Sequence, residues 1–121
     1  MRTLEIPEII KRHILWVKDL KGGQPADLSL RDLRNYKLDR VNLKKAKLAG
    51  ANMSNCSIRQ ADLSYCDMFS VMLNGADMSQ CKLDHSDLRG ANLRGVILEG
   101  ASLVSADLRG GALMLGGDAA E

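Results

Sequence analysis

Aromatic residues are scarce in this sequence of 121 residues, where they make up 3% of the chain. A core built from it has to be aliphatic, and the 45% of hydrophobic residues suffice for one domain of modest size. A long apolar run is missing too, because none approaches the roughly eighteen residues of a membrane span. The N-terminal stretch MRTLEIPEIIKRH carries acidic residues where a signal peptide has its apolar segment, so we expect a cytoplasmic location.

The sequence also has few cysteines and a small net charge. The three cysteines are Cys56, Cys66 and Cys81, an odd number without CxxC spacing, which argues against a disulfide framework and against a zinc site. The 17 basic and 15 acidic residues give a net charge of +2, which is too balanced to indicate nucleic acid or an anionic membrane as the partner. We therefore expect no metal, no cofactor and no small-molecule substrate.

What the sequence does have is a large aliphatic residue at every fifth position from residue 28 to residue 113. These residues are Leu28, Leu33, Leu38, Leu43, Leu48, Met53, Ile58, Leu63, Met68, Leu73, Met78, Leu83, Leu88, Leu93, Leu98, Leu103, Leu108 and Leu113. Two residues before each of them lies a second column, which is small or valine from Val41 onward. On an α-helix a step of five advances roughly 500°, so these residues would not form a stripe, and the period excludes a helix.

An extended chain accommodates the pattern, provided that it bends. Residues two apart point the same way, so the small residue and the aliphatic residue share a face while the polar residue between them points out. Because five is odd, a flat strand would place alternate aliphatic residues on opposite faces. We therefore predict a bend at the two residues after each aliphatic one, where glycine and asparagine recur. Repeated bends wind the chain into a solenoid of stacked repeats, although the period alone does not fix the number of sides.

The pentads ADLSL, GANMS, ADLSY, GADMS, GANLR and SADLR resemble the A(D/N)LXX motif of the pentapeptide-repeat family, and the resemblance covers residues 26–115. It implies an all-β fold, a right-handed quadrilateral β-helix with twenty residues per coil. Residues 26–115 would then make about 4.5 coils, and a stacking distance of roughly 4.8 Å gives a rod about 20 Å long. Its interior rows would run from Leu28 to Leu108 and from Leu43 to Leu103.

The N-terminal segment predicts a cap for the open end of this solenoid. Helical spacing after Pro7 indicates a short capping helix within residues 1–25, ended by two glycines. Its apolar positions are Ile6, Ile9, Ile10, Ile14 and Val17 or Leu20. Trp16 is expected to close the bottom of the coil, and Arg31 and Tyr36, which are too large for the interior, can lean toward the cap.

The C-terminal end carries apolar residues where the motif normally has polar ones. Leu113, Met114 and Leu115 are therefore a candidate end contact, and they are followed by a flexible tail at residues 116–121. Two explanations stay open: this end pairs with a second copy as a homodimer, or the chain is part of a longer protein.

Catalytic chemistry has little support in the sequence. The three cysteines fall in the inward column, where a thiol packs as a small hydrophobe. His13 lies on the cap, and this position favours a structural role over a catalytic one. His85 lies at an outward corner, so it cannot share a metal ion with Cys81, which points inward. The recurrent aspartates occupy the motif's outward position without a nucleophile beside them, so we expect no enzyme.

Two outward features are candidate interaction surfaces. The first is a basic collar that consists of Arg31, Arg34, Lys37, Arg40, Lys44, Lys45 and Lys47. The second is an apolar cluster of Tyr65, Phe69 and Met72, with Ile97 and Val104 further along the rod. Neither feature requires a binding function. Lysines commonly protect solvated strand edges, which would explain the collar, and scattered exposure of apolar residues is normal, which would explain the cluster.

Three functions follow from these features. The first is a non-enzymatic module that presents flat outer faces of a rigid rod to a protein partner or to a neighbouring domain. The second comes from the resemblance, since some members of the family mimic DNA and bind type II topoisomerases such as gyrase. That role needs a strongly negative rod, and residues 26–115 carry twelve basic and ten acidic residues. The third is weak binding of nucleic acid or anionic lipid through the basic collar.

Overall fold

The computed structural model describes residues 4–112 and two short strands beyond them. Helix α1 comprises Ile6–Val17, strand β1 comprises Met114–Leu115 and strand β2 comprises Asp118–Ala119. The two strands pair in antiparallel fashion. Between α1 and β1 the chain winds into a coil that is held together by single-residue parallel bridges.

Every parallel bridge in the described coil joins residues twenty positions apart, so one turn of the coil takes four pentads. The stack on one side consists of Asp27, Lys47, Asp67, Asp87 and Asp107. Each pentad contributes one short extended side, and four sides close a turn. The coil length that the resemblance implies is therefore confirmed.

Backbone hydrogen bonds connect each inner side of the coil to the turns before and after it. The N–H of Leu63 donates to the carbonyl of Lys82 in the next turn, with N and O 2.8 Å apart. The N–H of Asp62 donates in the other direction, to the carbonyl of Val41, at 3.0 Å. The central sides thus satisfy their backbone only through their neighbours, as expected for a solenoid.

The predicted bend after each aliphatic residue is confirmed. The N–H of Ala46 donates to the carbonyl of Leu43 at 2.9 Å, and Lys45 at this corner has a φ of 69°. A positive φ at the third residue of the turn is the arrangement of a type II β-turn. Glycine suits such corners, and at Gly75 a Cβ would also lie 2.2 Å from Oδ1 of Asn55, so a larger residue there would require the Asn55 side chain to move.

The interior of the coil is aliphatic and closes completely only where a turn is covered on both sides. The large aliphatic residues of the five-residue period are buried from Leu28 to Leu93. Leu98 and Leu103 are partly buried, and Leu108 is 41% exposed. The prediction that Leu108 completes an interior row is therefore wrong, because within the described residues no turn of the coil stacks on it.

Helix α1 lies against the first turn of the coil. Pro7 stands in its first turn, where the absent N–H removes no helical hydrogen bond. Ile6 is buried in the core, and Ile9 and Ile10 pack against it. The helix ends before Leu20, which is exposed. Among the residues that the structure describes, no helix is long and apolar enough to cross a membrane.

His13, and not Trp16, is the residue of α1 that the coil buries fully. The Nε2 of His13 donates to the carbonyl of Lys44 at 2.9 Å, and its Nδ1 accepts the N–H of Ala26 at 2.9 Å. Trp16 remains 36% exposed, and its ring packs on that of His13 with the centroids 5.3 Å apart. The prediction that Trp16 closes the coil is wrong, because the first turn presents both a carbonyl and an N–H group there, and imidazole can bond both whereas indole can only donate.

The two large residues in the first turn's inward column lean toward the N-terminal segment, as predicted. Nη2 of Arg31 donates to the carbonyl of Leu4 at 3.3 Å. Tyr36 is partly buried against the core and borders a groove beside α1. A turn at the end of the solenoid thus admits side chains that an inner turn has no room for.

Truncation of an inner aliphatic residue tests the shared interior. Leu63→Ala should lower the free energy of unfolding by about 2–5 kcal/mol, because Leu63 is fully buried and the turns around it cannot collapse into the cavity. Leu63→Asp should prevent folding, since it buries an unpaired charge. Urea denaturation followed by circular dichroism measures both.

Ile97→Ala, at an exposed position, is the control and should change the stability by less than about 0.5 kcal/mol. A loss below that level for Leu63→Ala would contradict the interior described here.

The burial of His13 predicts a pH dependence of stability. Burial lowers the pKa of His13 below its usual value, and the hydrogen bond to the Lys44 carbonyl only partly opposes this. Between the lowered pKa and about 6.5 the unfolded chain binds more protons than the folded protein, so stability falls as the pH drops through this window. The midpoint of thermal unfolding should be lower at pH 5 than at pH 7.5. His13→Gln should reduce this difference, and an equal difference in the variant and the unaltered protein would refute the assignment.

Candidate interaction surface

The basic collar (the seven residues defined above, from Arg31 to Lys47) is spread around the rod and partly neutralised. Arg34 forms two hydrogen bonds with the carboxylate of Asp32, at 2.9 and 2.8 Å. The bonds from Arg34 lower the pKa of Asp32 to about 2 and raise the pKa of Arg34. This exposed pair removes one free cation from the collar.

The remaining collar residues lie on different sides and corners of the coil. Arg40 stacks under two glutamines, and its Nε donates to Oε1 of Gln60 at 3.0 Å. Gln60 in turn donates to Gln80 at 2.9 Å. Lys47 lies in the column of outward aspartates, Lys37 lies on another side, and Lys44 and Lys45 occupy a corner. The collar is therefore a ring around the first turns and not one compact patch.

Tyr65, the first residue of the predicted apolar cluster, is held in a stack at one corner of the coil. Its ring lies on the ring of His85, with centroids 4.7 Å apart and planes tilted by 14°. Nζ of Lys44 lies 5.6 Å from the centroid of Tyr65, within the range of a cation–π contact. Tyr65 and His85 are twenty residues apart and both have φ near 60°, so they occupy the same corner of successive turns. Tyr65 is nevertheless 51% exposed.

Phe69 is held in a similar way at the next corner. The guanidinium carbon of Arg89 lies 5.4 Å from its ring centroid. Arg89 is itself fixed by hydrogen bonds of 2.8 and 2.7 Å to Asp87, which lower the pKa of that carboxyl group. Phe69 is 47% exposed, and Asp67 stands between it and Tyr65 on the same side.

Met72 belongs to the following side, where it lies in an outward column between Asn52 and Asn92. The predicted cluster therefore extends over two adjacent sides of one turn. Ile97 is exposed on another side, and Val104 is exposed at the Tyr65 corner, two turns further along the rod. Sequence reasoning missed His85 and Arg89 as the residues that hold the two aromatic rings. A spacing of twenty residues was the signal that could have identified them.

Part of the predicted C-terminal contact lies outside the described residues. This holds for Leu113 and for the side chains of Met114 and Leu115, whose backbone forms β1. The end contact therefore stays a prediction.

The three cysteines occupy the inward column, as predicted, and all are buried and free. Each thiol donates to a carbonyl of the preceding turn: Cys56 to Leu33 at 2.8 Å and Cys66 to Leu43 at 3.0 Å, for example. Burial raises the pKa of Cys66 to about 12 and that of Cys81 to about 11.

The outward aspartates stabilise corners of their own pentads. Oδ1 of Asp62, for example, accepts the backbone N–H of Ser64 at 3.0 Å and also its hydroxyl group. Within residues 4–112, no three His, Cys, Asp or Glu side chains lie close enough together to hold a metal ion. The geometry thus gives these carboxylates a role in the turns.

The repeat pattern also matches a family model, described as pentapeptide repeats, in eight copies over residues 37–71 and 73–110. The chain belongs to the pentapeptide-repeat family. The fold of this family is a right-handed quadrilateral β-helix, in agreement with the four-sided coil of this pentapeptide-repeat protein. No curated protein matches the sequence significantly.

Solved structures of pentapeptide-repeat proteins are similar to this one. A protein from the thylakoid lumen of Arabidopsis thaliana is 24% identical, with a TM-score of 0.70 over 74% of this chain and 62% of that chain. Rfr23 from the cyanobacterium Cyanothece 51142 is 26% identical, with a TM-score of 0.48 over 74% of this chain and 65% of that one. QnrB1, a plasmid-mediated fluoroquinolone resistance protein, is 19% identical, with a TM-score of 0.47 over 74% and 46% of the two chains. This chain therefore spans less than two thirds of each of the three.

The raised thiol pKa values predict that the cysteines of this pentapeptide-repeat protein resist modification. At pH 8 a pKa of about 12 leaves roughly one Cys66 thiol in ten thousand ionised, and the thiolate is the reactive form. Ellman's reagent should therefore label almost no thiol in the native protein within an hour. It should label all three at once in 6 M guanidinium, which is the control. Rapid labelling of any native thiol would contradict the buried placement.

Proposed function

We propose that the protein is a non-enzymatic interaction module whose outer faces bind a protein partner or a neighbouring domain. The observation that carries this proposal is the pair of exposed aromatic rings, Tyr65 and Phe69, each fixed by a neighbour on the next turn. Aromatic residues and arginine are enriched at the centres of protein interfaces. The side between Tyr65 and Phe69 is therefore the proposed contact face, with Met72 extending it around the corner.

The two aromatic rings are already held in fixed conformations, which supports binding without rearrangement. A ring that is already held by His85 or Arg89 loses little rotamer freedom when a partner covers it, and that loss is a main cost of association. The backbone below both rings is bonded to the turns on either side. A pre-ordered surface of this kind favours a partner that is itself folded.

The carboxylates support a role without catalysis. Asp87 and Asp107 each bond an arginine two residues later, and Asp62 bonds the hydroxyl and N–H groups of its own turn. One oxygen of Asp62 and both oxygens of Asp87 and Asp107 are thus engaged in structure, which leaves fewer free lone pairs for a general base.

The proposal also assigns a role to each end of the chain. Residues 1–25 would act as the cap, residues 26–115 as the repeat rod and residues 116–121 as a tail. The contacts of Ile6 and His13 with the first turn support the cap. The exposure of Leu108 supports a contact of the opposite end, around residues 113–115, with a second copy of the chain.

The two other functions have less support. A DNA mimic needs a column of unopposed negative charge, whereas Arg89 and Arg109 each pair with an aspartate here. Binding of nucleic acid or anionic lipid needs a concentrated basic patch, whereas the collar is distributed around the coil and Arg34 pairs with Asp32. We therefore keep the protein-binding module as the proposal.

Substitution of the two rings tests the proposal. The double variant Tyr65→Asn and Phe69→Ser removes both, and asparagine tolerates the positive φ of residue 65. Capture of the partner from an extract of the source cells, followed by titration of the purified pair, should show at least about 30-fold weaker binding for the variant, as expected for loss of central interface residues.

Ile97→Ser is the matched control, because Ile97 is as exposed as Phe69 but lies on another side, and it should bind like the unaltered protein. Equal affinity of the double variant and the unaltered protein would exclude this face as the contact.

A further inference from the structure

A groove of about 450 Å³ lies between α1 and the first turn of the coil, apart from the proposed contact face. One wall is formed by Pro7, Ile10, Ile14 and Leu15 of α1. Their spacing of three, four and one residues places them along one flank of the helix, over a length of about 12 Å. None of these side chains carries a polar group, so this wall is apolar throughout.

The opposite wall comes from one side of the first turn, where Tyr36 and Leu38 line the groove. This side belongs to the end of the solenoid, and α1 covers it incompletely. Ile10, Ile14 and Tyr36 are consequently only half-buried, although each is large and mainly apolar. The groove is the part of the first turn's end that α1 leaves open.

Two lysines border the groove, Lys11 from the helix and Lys37 from the coil. Both are exposed, and neither lies within 4.0 Å of a carboxylate oxygen in the described part of the chain. Glu8, the acidic residue of α1, is occupied by Arg12 at 3.2 Å. The rim of an apolar groove is thus positively charged on both sides.

We propose that this groove binds a free long-chain carboxylate, with the acyl chain along α1 and the carboxylate at Lys11 and Lys37. The volume of the groove falls in the range of about 300–1,000 Å³ that is typical of small-molecule sites. The groove is open to solvent on one side, and the apolar stems of the two lysines can cover part of the chain there. Charge complementarity favours a carboxylate over a neutral or cationic head group.

Titration with carboxylates of increasing length tests the apolar part of the site. Isothermal titration calorimetry at pH 7.5 would use decanoate, dodecanoate and tetradecanoate, each below its micellar concentration. The affinity should rise by about two- to fourfold for each added methylene, because methylenes that enter the groove leave water. Dodecyltrimethylammonium, which has a comparable chain and a positive head, should bind more weakly than dodecanoate. An affinity that is independent of chain length, or equal for the two head groups, would overturn the proposal.

Substitution of the lysines tests the charged part without disturbing the fold. The double variant Lys11→Gln and Lys37→Gln should lose up to about fivefold in dodecanoate affinity per lysine. The matched control, Lys45→Gln with Lys82→Gln, removes two exposed lysines elsewhere and should retain the affinity. Equal losses in both double variants would place the ligand outside the groove and overturn the proposal.

The position of the ligand can be observed directly by NMR spectroscopy. Addition of dodecanoate should shift the methyl signals of Ile10 and Ile14 and leave that of Ile97, exposed on a side of the rod, in place. Shifts at Ile97 alone would contradict the proposal. Shifts at Ile10 and Ile14 with an acidic amphipathic peptide but not with dodecanoate would also overturn it and would identify a protein segment as the occupant. None of these results depends on the Tyr65 and Phe69 face, so either proposal can fail alone.

Discussion

The left-handed corner after each aliphatic residue is the constraint on which the rest of this structure depends. A period of five would turn alternate aliphatic side chains outward in a straight strand, and only a bend in every pentad returns them to one interior. Residues other than glycine adopt a positive φ at a cost of roughly 1–2 kcal/mol, yet Tyr65 and His85 do so here. Hydrogen bonds to the neighbouring turns and the burial of the aliphatic residues offset that strain.

The same corners determine what the outside of the rod can present. Because the chain returns to each position after twenty residues, side chains twenty apart lie on top of one another. Tyr65 therefore stacks on His85, and Phe69 has Arg89 above its ring. Such columns fix side chains that would move freely on an isolated strand. A binding surface on this fold is consequently built from vertical neighbours as much as from neighbours in sequence.

The interior and the corners were predictable from the sequence, because they depend on a local pattern that repeats without interruption. The inward placement of Cys66 and the bend at residues such as Lys45 follow from the period alone. The number of sides does not follow from the period and came from the resemblance to the family. The interior position of Leu108 was wrong because burial there requires a covering turn and not only the right residue type.

The outer surface and the N-terminal end were harder to predict, since they depend on hydrogen bonds between specific groups. The exposure of Trp16 and the burial of His13 follow from backbone groups of Lys44 and Ala26 that no local pattern reveals. The basic residues of the collar are recognisable in the sequence, but the pairing of Arg34 with Asp32, which reduces their free charge, is not. The repeat pattern therefore indicates which side chains are outside, and only the three-dimensional structure shows what they contact.

The close contact between Gly75 and Asn55 has a consequence for how sequences of this kind can change. The two residues are twenty apart, and a Cβ at position 75 would lie 2.2 Å from the amide oxygen of Asn55. A larger residue at position 75 thus becomes acceptable only after the side chain at position 55 shortens or turns away. Positions 55 and 75 should accordingly change together, so that the mutational history of this corner is recorded along a column of the rod instead of along the chain.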